Sequence, residues 1–282
     1  LKSLITVVSV ILMLVSVCAF GGCSSNGENK TPSVTNAKST EITTQAGFDA
    51  ILEIIPSNAN SFGFMDYTND DMKEHLTSYQ QLASDKIEMN SLTSIMFPGY
   101  SSAVIVEGGK DLNLVISDTG NDPTRQFQYN GIEIMEYEFL SGMDFGILGV
   151  FSFATNIDNF GVLTQNENGI EDIIDTIQGT KPSASDNEDI RDVTDRLTVG
   201  MFVSCSKDSF GSLISGTSGS KKAEDTLEMM SVWKFENSET AQNTLDQWEE
   251  DPENPEGTYI QDGVFIIATG EVSASDFFDE DQ

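Results

Sequence analysis

The chain has 282 residues, 46 of them acidic and 14 basic, for a formal net charge of −32 at neutral pH. Such a field repels nucleic acid and anionic lipid headgroups, so neither nucleic-acid binding nor electrostatic attachment to a membrane is expected. With 38% hydrophobic residues and 17 Phe, the chain has the apolar surface for a core and is no disordered polyanion.

In chain order, the first feature is an apolar run from Leu4 to Phe20, broken only by Thr6, Ser9 and Ser16. As a helix it rises roughly 25 Å, at ~1.5 Å per residue, against a hydrocarbon core of ~30 Å, which is short for a span. Lys2 precedes the run and Gly21 and Gly22 follow it, the layout of a secretory signal peptide. The stretch Phe20-Gly21-Gly22-Cys23 resembles the lipobox of bacterial lipoproteins, with Phe20 where Leu is usual and Gly21 where Ala or Ser is usual. Cys18 fits worse because bulky Val17 precedes it, and neither an ordinary signal nor an uncleaved anchor explains a cysteine at this boundary. The resemblance implies that residues 1–22 are removed and that Cys23 carries the lipid. It places the protein outside the cytoplasm, anchored to the cell membrane or the outer membrane. One acyl chain binds only marginally, at about 0.8 kcal/mol per buried methylene, so the several chains of a lipoprotein make the anchoring stable. Ser24 follows the anchor, and in a Gram-negative envelope the absence of Asp there argues against retention at the inner membrane.

Residues 23–46 are rich in Ser, Thr, Asn and Lys, too polar to offset the entropy of ordering, and read as a disordered tether. Residues 47–180 form the expected N-terminal half. Ser61-Phe-Gly-Phe-Met-Asp-Tyr67 alternates as a strand, and Met72, Leu76, Tyr79 and Ala83 fall at helical spacing behind an Asp70 or Asp71 cap. Ser101 to Gly109 and Leu112 to Gly120 read as an apolar hairpin around Lys110, and Arg125 to Gln128 as a helix or turn. Tyr129 to Phe139 alternates as a strand. Ile147 to Asn156 and Asn159 to Gln165 give two more, joined by a turn. Ile170, Ile173, Ile174 and Ile177 make one stripe of a helix that stops at Gly179.

The polar stretch Thr180 to Asp189 suggests a join to a second half, residues 181–282. There, Arg196 to Cys205 reads as a strand, Asp208 to Gly216 as a short helix, and Leu227 to Phe235 as a strand. Ser238 caps a helix facing inward through Ala241, Leu245 and Trp248, and a final hairpin turns at Asp262-Gly263. Both halves contain an aromatic-bearing strand running into a capped helix, an echo that generic α+β alternation also produces. The expected fold is α+β, with two related halves of antiparallel sheet and helices packed on one face. From Ile54 to Cys205, the order of a Pro-Ala-Phe strand opening, a Tyr-Gly strand and a Gly-ended helix resembles uncharacterised secreted and lipid-anchored bacterial α+β proteins. That resemblance implies fold class and brings no catalytic residues.

The residues that could carry chemistry are few. His75, the one histidine, sits in the first amphipathic helix and reads as a helix-border residue. Once Cys18 leaves and Cys23 is lipidated, Cys205 alone remains, so no intramolecular disulfide forms and Cys205 reads as a small buried hydrophobe. Ser215 to Lys222 (SGTSGSKK) fails as a phosphate loop, because Ser220 stands where the motif needs Lys, and reads as a flexible loop with two exposed lysines. Three acidic stretches cluster carboxylates: Asp66 to Asp71, Asp118 to Asp122, read as a loop between strands, and Asp251 to Gly257. None has an EF-hand's alternation, and the third, through Asp251, Glu253 and Glu256, is the one to test for a cation. No cofactor is implied, and no carboxylate pair stands out for glycoside hydrolysis. The expectation is a non-catalytic envelope module that binds or scaffolds an extracytoplasmic protein or small ligand. The alternatives are a solute- or cation-capturing lipoprotein and a carboxylate-based hydrolase.

Overall fold

A computed structural model of the chain describes residues 40–74, 88–99, 101–108, 111–118, 120–141, 150–209, 211–223, 225–250 and 258–274. Twelve strands form one antiparallel sheet in the order β11-β12-β10-β9-β8-β1-β2-β3-β7-β6-β5-β4. The strands are β1 (Ser61–Asp66), β2 (Met89–Met96), β3 (Ser102–Gly108), β4 (Arg125–Tyr129), β5 (Ile132–Ser141) and β6 (Val150–Ile157). They continue as β7 (Phe160–Thr164), β8 (Phe202–Lys207), β9 (Ile214–Ala223), β10 (Thr226–Lys234), β11 (Thr258–Asp262) and β12 (Phe265–Ser273). Among the described residues, six α-helices accompany them: α1 (Thr40–Leu52), α2 (Asp70–Glu74), α3 (Leu112–Asp118), α4 (Glu167–Ile177), α5 (Glu188–Thr194) and α6 (Ser238–Glu250). The α+β class is as expected. The strands of the two segments meet at the β1–β8 pair, which joins them into one continuous ladder.

Alternation along the central strands sends neighbouring residues to opposite faces. On the first face, Phe62 and Phe64 of β1, Ile95 of β2, Ile105 of β3, Val162 of β7 and Val203 of β8 share a core with Phe48 and Ile51 of α1. Ile170, Ile173 and Ile174 of α4 and Ile190 and Val193 of α5 complete it. Phe48 and Phe64 meet ring to ring with centroids 5.6 Å apart. The second face carries two smaller cores. Met65, Leu92, Val104, Leu163 and Phe202 pack with Leu112, Val115 and Ile116 of α3. Trp233, Phe235 and Ile266 pack with Ala241 and Leu245 of α6. Helices therefore cover both faces rather than the one face expected from the sequence: Val162 and Leu163, adjacent in β7, point to opposite cores. Under α3 the approach is so close that a Cβ at Gly161 would lie 2.7 Å from the Leu112 Cβ.

Several elements depart from the sequence reading. Leu112–Asp118 is helix α3, not the second arm of a hairpin: Asp111 Oδ1 accepts from the Asn113 amide at 2.8 Å and caps it, and Leu112, Val115 and Ile116 form its inner stripe. The Asp118-to-Asp122 stretch consequently joins a helix to a strand. Arg125–Tyr129 is strand β4, paired along its length to β5. Ser209 and Gly211 to Leu213 are not helical, and Ser215 to Lys222 lies within β9 rather than in a loop. The Arg196 to Cys205 stretch becomes extended only at Phe202. Asn237, not Ser238, caps α6, accepting from the Thr240 amide at 2.8 Å. Asp262 pairs with Phe265, so the last hairpin turns on Gly263-Val264, with φ +61° at the glycine. Helix α1 reaches back to Thr40, inside the stretch read as tether.

Candidate functional site

Carboxylates are the commonest reactive groups here, and the buried or clustered ones have local donors. Asp175, near the end of α4, is 7% exposed. It accepts from Tyr129 Oη at 3.0 Å and Asn130 Nδ2 at 2.9 Å, and pairs with Lys181 Nζ at 3.0 Å. Lys181 also reaches Asp172 Oδ1 at 2.5 Å. Burial pushes the Asp175 carboxyl up, but the hydrogen bonds from Lys181 and Tyr129 outweigh it and hold it below the usual carboxylate range. The bond to Asp172, followed by that to Asp175, raises the Lys181 ammonium. The cluster ties helix α4 to the turn between β4 and β5.

A second pair, Asp66 and Glu107, flanks Ser91 across β1, β2 and β3 on the first face. Asp66 accepts from the Thr68 amide at 2.8 Å and from Thr68 Oγ1 at 2.6 Å. Glu107 accepts from Ser91 Oγ and Asn159 Nδ2, both at 3.1 Å. A third cluster joins Lys234 of β10 to Asp189 and Asp192 of α5 at 2.6 and 2.7 Å. Desolvation lowers the Lys234 ammonium, and the two carboxylates reverse that and raise it. Cys205 is 2% exposed, and desolvation pushes its thiol well above the usual range, as fits a core residue.

The feature without such closure is neutral. Across five adjacent strands on the second face, register aligns Ser231 (β10), Thr217 (β9), Ser204 (β8), Gly63 (β1) and Ser94 (β2) in one row. Two residues along, the next row runs Trp233, Ser215, Ser206, Ser61 and Met96. The inner row is buried, whereas Ser61, Ser206 and Ser215 of the outer row are half-exposed. Strand spacing makes the strip roughly 19 Å long, at ~4.8 Å per strand. It lies between the two apolar cores of the second face.

Within it, Thr217 and Ser231 share a hydrogen bond of 2.9 Å. Ser94, 7% exposed, has a hydroxyl with no hydrogen-bond partner. Its neighbour in the row, Gly63, is also buried and has no side chain, and Ser204 stands on its other side, about two strand spacings from Ser94, ~9–10 Å between Cα positions. Thr93 Oγ1 is also unpartnered; its row neighbours on the first face are Phe64, Val203 and Ile105, with Ser91 two residues along β2.

Cys23, His75, Asp251, Glu253 and Glu256 lie outside the described residues, as does the amphipathic helix beyond Glu74. Asp70 and Asp71 do stand in the first turn of α2, where Asn69 Oδ1 accepts from the Asp71 amide at 2.9 Å. Lys221 and Lys222 are ion-paired to Asp71 and Glu271 from strand β9. Among the described residues, no group of three or more His, Cys, Asp or Glu is placed to hold a metal, and no helix is long and apolar enough to cross a membrane. The sequence reading missed the hydroxyl strip. Its one available signal was hydroxyl residues two apart, Ser204 with Ser206 and Ser215 with Thr217.

No protein-family model matches the chain, and none of the curated proteins matches it. Among solved structures, the chain is similar to crystal form III of TP0453, with a TM-score of 0.51 and 9% identity. The match covers 80% of this chain and 95% of that one. At this identity the likeness is one of fold.

Proposed function

We propose that the chain is a lipid-anchored extracytoplasmic envelope protein, held by Cys23, that binds or scaffolds a component of that compartment without transforming it. The observation that carries this reading is a contrast. The clustered carboxylates Asp66, Glu107, Asp172, Asp175, Asp189 and Asp192 all accept hydrogen bonds or pair with lysines inside the fold, whereas the second face offers a strip of neutral hydroxyls with one donor unused. Hydroxyls without a base or metal bind; they do not activate a nucleophile. The lipobox-like sequence at Cys23 supports this compartment, and the likeness in fold to TP0453 is compatible with it. The anchor, rather than charge, then brings a protein of net charge −32 to an anionic surface.

The test uses full-length protein taken from a bacterial membrane fraction. Mass spectrometry is expected to find an N-terminal, acylated Cys23, and crosslinking in intact cells or a ligand screen is expected to yield a bound component. An unmodified thiol at Cys23 contradicts the anchoring. Turnover of glycan or peptide substrates by the purified protein contradicts the non-catalytic reading.

A further inference from the structure

We infer that the Asn130-Gly131 turn is a self-modification site, where the Asn130 carboxamide deamidates through a succinimide and a donor to Asp175 becomes a carboxylate that opposes it. This goes beyond the proposed function and does not rest on it.

The sequence holds Asn-Gly pairs at Asn26, Asn130 and Asn168, of which the last two lie among the described residues. In each, the second residue has no side chain to hinder the approach of its backbone nitrogen to the asparagine Cγ. The two described pairs differ in what occupies that nitrogen. In α4 the Gly169 amide donates to Asn166 Oδ1 at 2.8 Å and the residue is buried, so the nucleophile is engaged and shielded. Asn130 and Gly131 are instead both exposed at the tip of the β4–β5 hairpin, with φ +50° and +83° between the paired Tyr129 and Ile132. Among the described residues, none accepts a hydrogen bond from the Gly131 amide.

The reaction balances with water alone. The Gly131 nitrogen gives its proton to solvent base and bonds to Asn130 Cγ, the Cγ–Nδ2 bond breaks, and ammonia leaves. Water then opens the ring at either carbonyl, giving aspartate or isoaspartate. One water is consumed for each ammonia released, and nothing is oxidised or reduced.

The partner of the carboxamide makes the site more than a labile turn. Asn130 Nδ2 donates to Asp175 Oδ1 at 2.9 Å, and Asp175 is 7% exposed. After conversion two acceptors stand where a donor met an acceptor, and neighbouring like charges disfavour the doubly ionised form. The groups facing the pair are Tyr129 from β4, Glu171 and Asp172 from α4, and Lys181 beyond that helix. Lys181 is already shared by Asp172 and Asp175. Conversion therefore weakens the tie between α4 and the hairpin.

The test incubates the intact protein at mildly alkaline pH and follows each asparagine-containing peptide by mass spectrometry, with fragmentation to distinguish isoaspartate. Conversion at Asn130 is expected to run several-fold ahead of conversion at Asn168. Equal or slower conversion at Asn130 overturns the inference. The consequence is read separately, by urea unfolding of Asn130→Asp and Asn130→Gly across pH. Both variants lose the donor and both tolerate positive φ, but only the first adds charge. Repulsion raises the folded carboxyl above its unfolded value, so the Asp variant is expected to lose stability against the Gly variant as pH rises through the carboxylate range. A gap between the two that stays constant with pH overturns the coupling to Asp175.

Discussion

The two faces of this one sheet are built by different rules. On the first, Phe62, Phe64, Ile95, Ile105, Val162 and Val203 meet the apolar stripes of α1, α4 and α5 in a single core. On the second, two smaller cores under α3 and α6 stand either side of a band where β8, β9 and β10 present serine and threonine. Both sets of side chains hang from the same central strands, so backbone hydrogen bonding is common to the two and only side-chain chemistry differs. The comparison teaches that one face is packed as a single core, whereas the other divides its apolar contacts between two cores and keeps polar groups between them.

The largest expected effect is on the first face. Phe64→Ala removes a fully buried ring from contact with Phe48, and a cost of about 3–5 kcal/mol is expected in denaturant unfolding. Next comes the packed flank of the second face. Gly161→Val forces α3 away from β7, because even a Cβ there lies 2.7 Å from Leu112, and about 1–3 kcal/mol is expected to be lost. A cost below that for either variant would mean that the helices sit more loosely than the contacts indicate.

The Asp175 cluster gives a smaller, pH-dependent effect. Its folded carboxyl is held below the ordinary value, so its contribution is fully present above that value, near pH ~4, and is lost as pH falls through the lowered folded one. Asp175→Asn is expected to cost on the order of 1–2 kcal/mol at neutral pH through weakened charge-assisted hydrogen bonds, and to flatten the loss of stability on acidification. Urea unfolding of both proteins at pH 7 and at pH 3 checks this; parallel acid losses would assign the acid sensitivity to other carboxylates.

The sequence disclosed the first face better than the second, and the reason is physical. Helix α4 was legible from Ile170, Ile173 and Ile174, and β1 from its alternating aromatics, because burial against a helix writes a period into the chain. β4 was read as a helix or turn, and the strands hidden most completely were β2 and β9. In β2, Ser91 and Thr93 interrupt the first-face pattern and Ser94 the second-face pattern, so neither period is apolar. In β9, the run Ser-Gly-Thr-Ser-Gly-Ser has the composition of a loop and is held extended only by β8 and β10 on either side. These are strands specified by their neighbours. They also supply Ser94, Ser215 and Thr217, so the part of the candidate site that local pattern could not reveal is the part whose serines and glycines obscured the strands. Helix α3 was misread for the opposite reason: a short apolar run fits either period, and the capping bond from Asp111 decided it.

The smallest expected effect is also the most direct test of the claim that the second face keeps a buried hydroxyl the fold leaves unsatisfied. It is the unfolding free energy of Ser94→Ala beside wild type, measured without ligand. Removing an unsatisfied buried hydroxyl relieves its desolvation cost, so the variant is expected to equal the wild type or to exceed it by up to about 1–3 kcal/mol. A clear loss of stability would show that Ser94 is a satisfied part of the packing, and would contradict the account.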